Sequence, residues 1–340
     1  MNRKVLHRLT IAALLLFSLV LPFWSRPDAL ASLPSPAEPA DDAVSFLPPS
    51  DAVALIDVRR LLNEILPGIF AGDPAKLAQI NSEIDKFKAR TGIDPRSFER
   101  VVLGMRYTYP SAGVVKIETL AVARGTFDAR ALVAASRIAA NGRYREEKHH
   151  GTTIAVFNIN HQVKLLGLWN PKVSELAVSA LDGNTLAIGS LPSVRAAIEA
   201  GKSRRRANSD LISLASRDPN AVIGFGANLT PALLANLNAG NDALAKDASS
   251  IRQVYGAIGT TEADISLFLA ARTDNADAAK NLSDTVAGLE QLGAIVTARM
   301  TPAKKALAQT ALNNLKVTTR GNELEIRTQF SAAALAAVLK

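Results

Sequence analysis

The sequence predicts an α+β fold made of two similar lobes, each a mostly antiparallel sheet with packed helices. Three observations lead there. Strand-like segments adjoin in hairpins with helices between them, and three blocks of sequence recur in the same order in both halves. The composition, 48% apolar and 21% charged over 340 residues, is that of a chain able to bury ordinary cores. There is no cysteine, which removes thiol catalysis, cysteine-based zinc sites and disulfide scaffolding from consideration.

The first element is a leader. Arg3, Lys4 and Arg8 precede a run of 16 residues, Leu9 to Trp24, in which only Thr10 and Ser18 are polar, and Ala29-Leu30-Ala31 offers an A-x-A cleavage step. That pattern is the grammar of a secretory signal peptide. A spanning helix needs about 20 apolar residues, and Pro22 interrupts this run, so residues 1–31 are expected to be removed; a retained membrane anchor is the alternative. Either way the remainder lies outside the cytoplasm, in the periplasm or the medium.

Removal of 1–31 takes four basic residues from 39 and one acid from 31, leaving a net charge of +5. So weak a balance makes the chain soluble and is not a nucleic-acid footprint. Residues 32–45, with Pro34, Pro36 and Pro39 among small and polar residues, read as a tether.

Beyond it the first lobe is expected over 46–203. Ala52 to Val58 reads as a strand and Arg59 to Leu66 as a helix ended by Pro67. A second helix, Pro74 to Arg90, stops at Gly92. Arg100 to Tyr107 and Val114 to Ala123 are strands, and Asp128 caps a helix reaching Ala140. Tyr144 to Phe157 forms a hairpin turning near Gly151. Glu175 to Ile188 forms another through Asp182-Gly183, and a helix runs from Pro192 to Ala200, with Gly201 just past its end.

The second lobe, 204–340, repeats this plan. Leu176-Ala-Val-Ser-Ala180 with Gly183-Asn-Thr-Leu-Ala-Ile188 matches Leu315-Lys-Val-Thr-Thr319 with Gly321-Asn-Glu-Leu-Glu-Ile326. Ala52 to Leu66 has its counterpart in Ala221 to Leu237, and Leu120 to Ile138 in Leu267 to Leu289. Each closing hairpin leads into an Ala-rich helix, Val194 to Ala200 and Ala332 to Leu339. The seam falls near Gly201 to Ser209, and two such lobes would leave a groove between them.

In the stretches FLPPSDAVALIDVRRLLNEILP (46–67) and LDGNTLAIGSLPSVRAAIEA (181–200) the chain resembles a group of exported bacterial proteins with two α+β lobes and no assigned role. The resemblance covers most of 46–340 and rests on turn glycines and apolar positions. It implies an envelope location and carries over no catalytic residue.

Several constellations imitate chemistry. Gly224-Phe-Gly226-Ala-Asn-Leu229 lies between strand and helix like a dinucleotide fingerprint, but Leu229 stands where that motif needs a small residue. Gly201-Lys202-Ser203 ends like a phosphate loop, yet Ala196 occupies the place of its first glycine. No G-x-S-x-G or S-x-x-K occurs. Of the histidines past the leader, His149 and His150 are adjacent and, on a strand, would face opposite ways, so no metal site is expected from them; His150 and His161 could meet across strands.

Lys202, Arg204, Arg205 and Arg206 form the one dense charge cluster. It reads first as a solvated linker and second as an anion-binding site, able to make weak contact with an anionic membrane surface. With no catalytic residue, cofactor or metal ligand set apparent, the expected role is an exported non-catalytic binding or envelope-structural protein. Its partner would be a protein or small molecule of the envelope. A hydrolase using unrecognised carboxylates or hydroxyls, or an inhibitor-like partner of an exported enzyme, are the alternatives.

Overall fold

The structure, a computed structural model, describes residues 42–111, 114–162, 172–203, 207–236, 247–261, 264–297 and 300–339. The leader, most of the tether, Trp169 and Arg204 to Arg206 lie outside the described residues.

The first half runs α1 (Asp42–Ser45), β1 (Ala52–Asp57), a helical stretch 58–69 (α2) with a π-helical middle turn Leu61–Ile65, α3 (Pro74–Thr91), β2 (Phe98–Ser111), β3 (Val114–Gly125) and α4 (Ala129–Ala140). It continues through β4 (Tyr144–His149), β5 (Thr152–Gln162), β6 (Lys172–Ala180), β7 (Thr185–Gly189) and α5 (Leu191–Ser203). The second half contains α6 (Ser209–Ala215), β8 (Ala221–Asn228), α7 (Pro231–Asn236), β9 (Ile251–Thr260), β10 (Asp264–Thr273), α8 (Ala276–Thr297), α9 (Pro302–Asn313), β11 (Lys316–Arg320), β12 (Glu323–Ser331) and α10 (Ala332–Leu339).

The chain is α+β, as expected, and among the described residues every strand pairing is antiparallel. The strands form one 12-stranded sheet in the order β11-β12-β10-β9-β8-β1-β2-β3-β7-β6-β5-β4. Outward from its centre the order is β1, β2, β3, β7, β6 on one side and β8, β9, β10, β12, β11 on the other. Each repeated block therefore occupies the same place in its half, and the β4–β5 hairpin is an addition to the first half.

The halves do not stand apart with a groove between them. β1 and β8 pair from Ala52↔Ala227 to Ile56↔Ile223, and one core cluster contains Val53, Val102 and Leu120 together with Leu211, Leu214, Tyr255 and Phe268. The reason is visible in β1, whose residues are buried on both faces along most of its length. Left as an edge, such a strand would expose unpaired backbone groups and apolar side chains to water; β8 satisfies both needs.

On one face, which we call the front, α1 (Ala43, Val44), α5 (Val194, Ala197, Ile198) and α6 (Leu211, Leu214) cover the sheet. On the back, α2 covers the centre through Val58 and Leu62, α4 the first half through Ala129 and Val133, and α8, α9 and α10 the second half through Leu282, Leu307 and Ala336. The two closing helices thus lie on opposite faces. β7 stops at Gly189 and the chain turns forward, whereas β12 continues to Ser331 before α10 packs behind it.

Two local expectations change. The tether ends before residue 45, because α1 is already folded into the core, with Ala43 and Leu47 fully buried. Gly201 lies inside α5 and does not end it. A Cβ there would sit 2.4 Å from the Phe46 ring, so the glycine makes room for an aromatic side chain. Asn208 stands at the N-cap of α6, and its side chain accepts from the Ser50 amide at 2.8 Å and donates to the Pro48 carbonyl at 2.8 Å.

Candidate functional site

Strand alternation places Arg145, Glu147 and His149 of β4 on the front of the sheet, with Glu146 and Lys148 behind. α5 buries Val194, Ala197 and Ile198, so its other side presents Arg195, Glu199 and Lys202 at helical spacing. These two polar rows meet. Arg195 Nε donates to Glu147 Oε1 at 2.6 Å, and Arg145 lies 3.7 Å from the other carboxylate oxygen of Glu147 while also pairing with Glu175 at 3.1 Å. The hydrogen bond from Arg195, reinforced by the charge of Arg145, holds the Glu147 carboxyl below its ordinary range.

At the tip of the hairpin His150 and Gly151 both take positive φ, 49° and 83°, making the two-residue turn that joins β4 to β5. His150 is therefore a turn residue, and the strand rule that would send it away from His149 does not apply. The rings lie 4.4 Å apart, centroid to centroid, at 72° to one another. His149 Nε2 is 2.8 Å from Glu199 Oε1 and His150 Nε2 is 3.8 Å from the same oxygen. Lys202 Nζ donates to the His150 carbonyl at 2.7 Å, which ties the turn to the last turn of α5.

Of the basic cluster, Lys202 thus has a partner in the hairpin, and Arg204, Arg205 and Arg206 lie outside the described residues. His161 is at the far end of β5 from the turn, paired in register with Val173; it lies nine steps of about 3.3 Å from Thr152, so it does not join His150. The glycines of Gly224-Phe-Gly226 serve packing. A Cβ on Gly224 would lie 1.8 Å from the Ala215 carbonyl oxygen and one on Gly226 2.8 Å from that of Leu211, so α6 rests directly on β8 where a cofactor motif would leave space.

A second polar cluster sits on the front of the second half. Arg217 reaches Glu323 and Glu325 at 3.2 Å each and the Tyr255 hydroxyl, Arg272 holds Glu323 at 2.6 Å, and Arg327 lies over the Phe268 ring. Burial raises the Glu323 carboxyl, but hydrogen bonds from Arg272, Arg217 and Tyr255 outweigh it and leave the group below its ordinary range. Burial, with Glu323 alongside, pushes the Tyr255 phenol up to about 12. Two carboxylates converge here, each clamped by arginine, and Glu323, held below its ordinary range, suits neither a general acid nor a neutral-pH base.

Sequence reasoning missed Glu199 and misplaced His150. The signals were there: Glu199 falls on the stripe of α5 opposite Val194, Ala197 and Ile198, and a hairpin turning at Gly151 already makes His150 part of the turn.

The chain matches no family model and no curated protein. Among solved structures it is similar to crystal form III of TP0453, with 13% identity and a TM-score of 0.45 over 88% of this chain and 98% of that one. Crystal form IV (TM-score 0.43, 96% of that chain) and crystal form I (0.40, 97%) are also 13% identical and cover 88% of this chain.

Proposed function

We propose that the chain is an exported, non-catalytic binding protein that takes its ligand at the corner where the β4–β5 turn meets the end of α5. One observation supports this reading. His149, His150, Glu199 and Lys202, from segments about 50 residues apart, bring imidazole, carboxylate and ammonium groups together on a solvent-facing rim of a rigid sheet. Mixed polar groups on a rigid support are what recognition requires, since little ordering remains to be done on binding. His149 faces a carboxylate and not a hydroxyl, so the corner does not hold an activated nucleophile.

Export rests on the leader pattern of residues 1–31. Among the described residues no helix is long and apolar enough to cross a membrane. The test has two arms. Fractionation of bacteria producing the full chain should recover protein beginning at Ser32 outside the cytoplasm; intact chain in the cytosol would end the export reading. Thermal melting of the mature chain with transition metals, phosphate, sulfate and anionic vesicles should show at least one ligand that raises Tm. That rise should vanish in Glu199→Gln with Lys202→Ala, and a panel without effect would end the binding reading.

A further inference from the structure

We infer that His149, His150 and Glu199 form a binding site for a first-row divalent transition-metal ion, with zinc the best fit. This deepens the binding reading of the same corner and rests on it. The ligand atoms of the three residues all lie within 4.8 Å of one another. Two donors on one tetrahedral zinc ion, each at about 2.1 Å, stand about 3.4 Å apart. The two contacts to Glu199 Oε1, 2.8 and 3.8 Å, lie on either side of that spacing. The widest pair needs to close by at most about 1.4 Å, which side-chain rotation supplies for a ring as open to solvent as that of His150.

The donor set selects the metal. Two neutral imidazoles with one carboxylate suit zinc, copper, nickel or cobalt, whereas calcium and magnesium want oxygen ligands alone. Three protein ligands leave a fourth tetrahedral position on the solvent side, where His150 and Glu199 are each more than half exposed.

The backbone is arranged for the same end. Adjacent histidines converge only if one leaves the strand geometry, and His150 does so with a left-handed φ of 49°, a conformation that costs a side-chain-bearing residue energy. Lys202 then fixes that residue from α5 through its carbonyl, leaving the ring free. Arg195 of α5 is paired with Glu147 at 2.6 Å, which offsets its charge beside the site.

The experiment is calorimetric titration of tag-free, chelator-stripped mature chain with zinc chloride, then with magnesium and calcium chlorides. The variants are His150→Asn, which tolerates positive φ, and Glu199→Gln; both positions are exposed, and metal-free melting confirms that each variant folds. We expect one zinc per chain, affinity lower by at least about tenfold in each variant, and no binding of magnesium or calcium. Absence of zinc binding, or unchanged affinity in either variant, overturns the site. If zinc fails while phosphate or an anionic vesicle still stabilises the corner, this inference falls and the broader binding reading stands; if nothing binds, both fall.

Discussion

Arg195 Nε and Glu147 Oε1 meet at 2.6 Å, joining the outermost strand of the first half to the helix that covers it. β4 is an edge strand, and this contact together with the Lys202 to His150 hydrogen bond is how α5 holds its turn end in place. Because Glu147 titrates below the ordinary carboxylate range when folded, it contributes stability that is present above its unfolded pKa and lost as pH falls through the folded one. Urea unfolding of Glu147→Gln should therefore show less loss of stability on acidification than wild type. Equal acid sensitivity in the two proteins would refute the linkage.

Gly201 offers a test in which the ordinary rule changes sign. Alanine in place of a glycine inside a helix usually stabilises by up to about 1 kcal/mol. Here the new methyl would lie 2.4 Å from Phe46, so Gly201→Ala should destabilise by about 1–3 kcal/mol. Adding Phe46→Leu should return part of that loss, and denaturant midpoints of the single and double variants measure it.

The shared core predicts that the halves unfold together. Leu214 sits on α6 of the second half but packs in the cluster that contains Val102 and Val122 of the first. Leu214→Ala should cost about 2–5 kcal/mol and speed hydrogen exchange in α4 as much as in α8. Residues 46–203 made alone should aggregate through the exposed edge of β1; a soluble, cooperatively folded fragment would contradict the single-sheet account.

Glu325 is buried between Arg217 and Arg327, at 3.2 and 3.4 Å. Removing Arg217 leaves a buried carboxylate with one partly exposed partner. Arg217→Met should therefore cost about 2–3 kcal/mol, between the values of exposed and fully buried pairs. Arg217→Met combined with Glu325→Gln should recover stability relative to the single variant, as equilibrium unfolding would show.

Much of the fold was legible in the residues. Asp128 accepts from the amides of Arg130 and Ala131 as a cap should, Gly92 closes α3 at φ 72°, and the hairpins at 176–188 and 315–326 appear where the repeat placed them. Each depends on contacts within a few residues. What the two apolar strands Ala52–Asp57 and Ala221–Asn228 would do was not legible, because an unbroken apolar run says that both faces are covered and not by which partner.

The candidate site divides in the same way. Sequence by itself determined the apolar run near the N-terminus, the absence of cysteine, the order of helices and hairpins, and the duplication, since all of these are local or compositional. Tertiary structure alone decided that β1 pairs with β8, that α5 and α10 take opposite faces, and that His149 and His150 meet Glu199. Those outcomes depend on long-range pairing and on one left-handed turn residue, where packing and register, not local propensity, set the geometry.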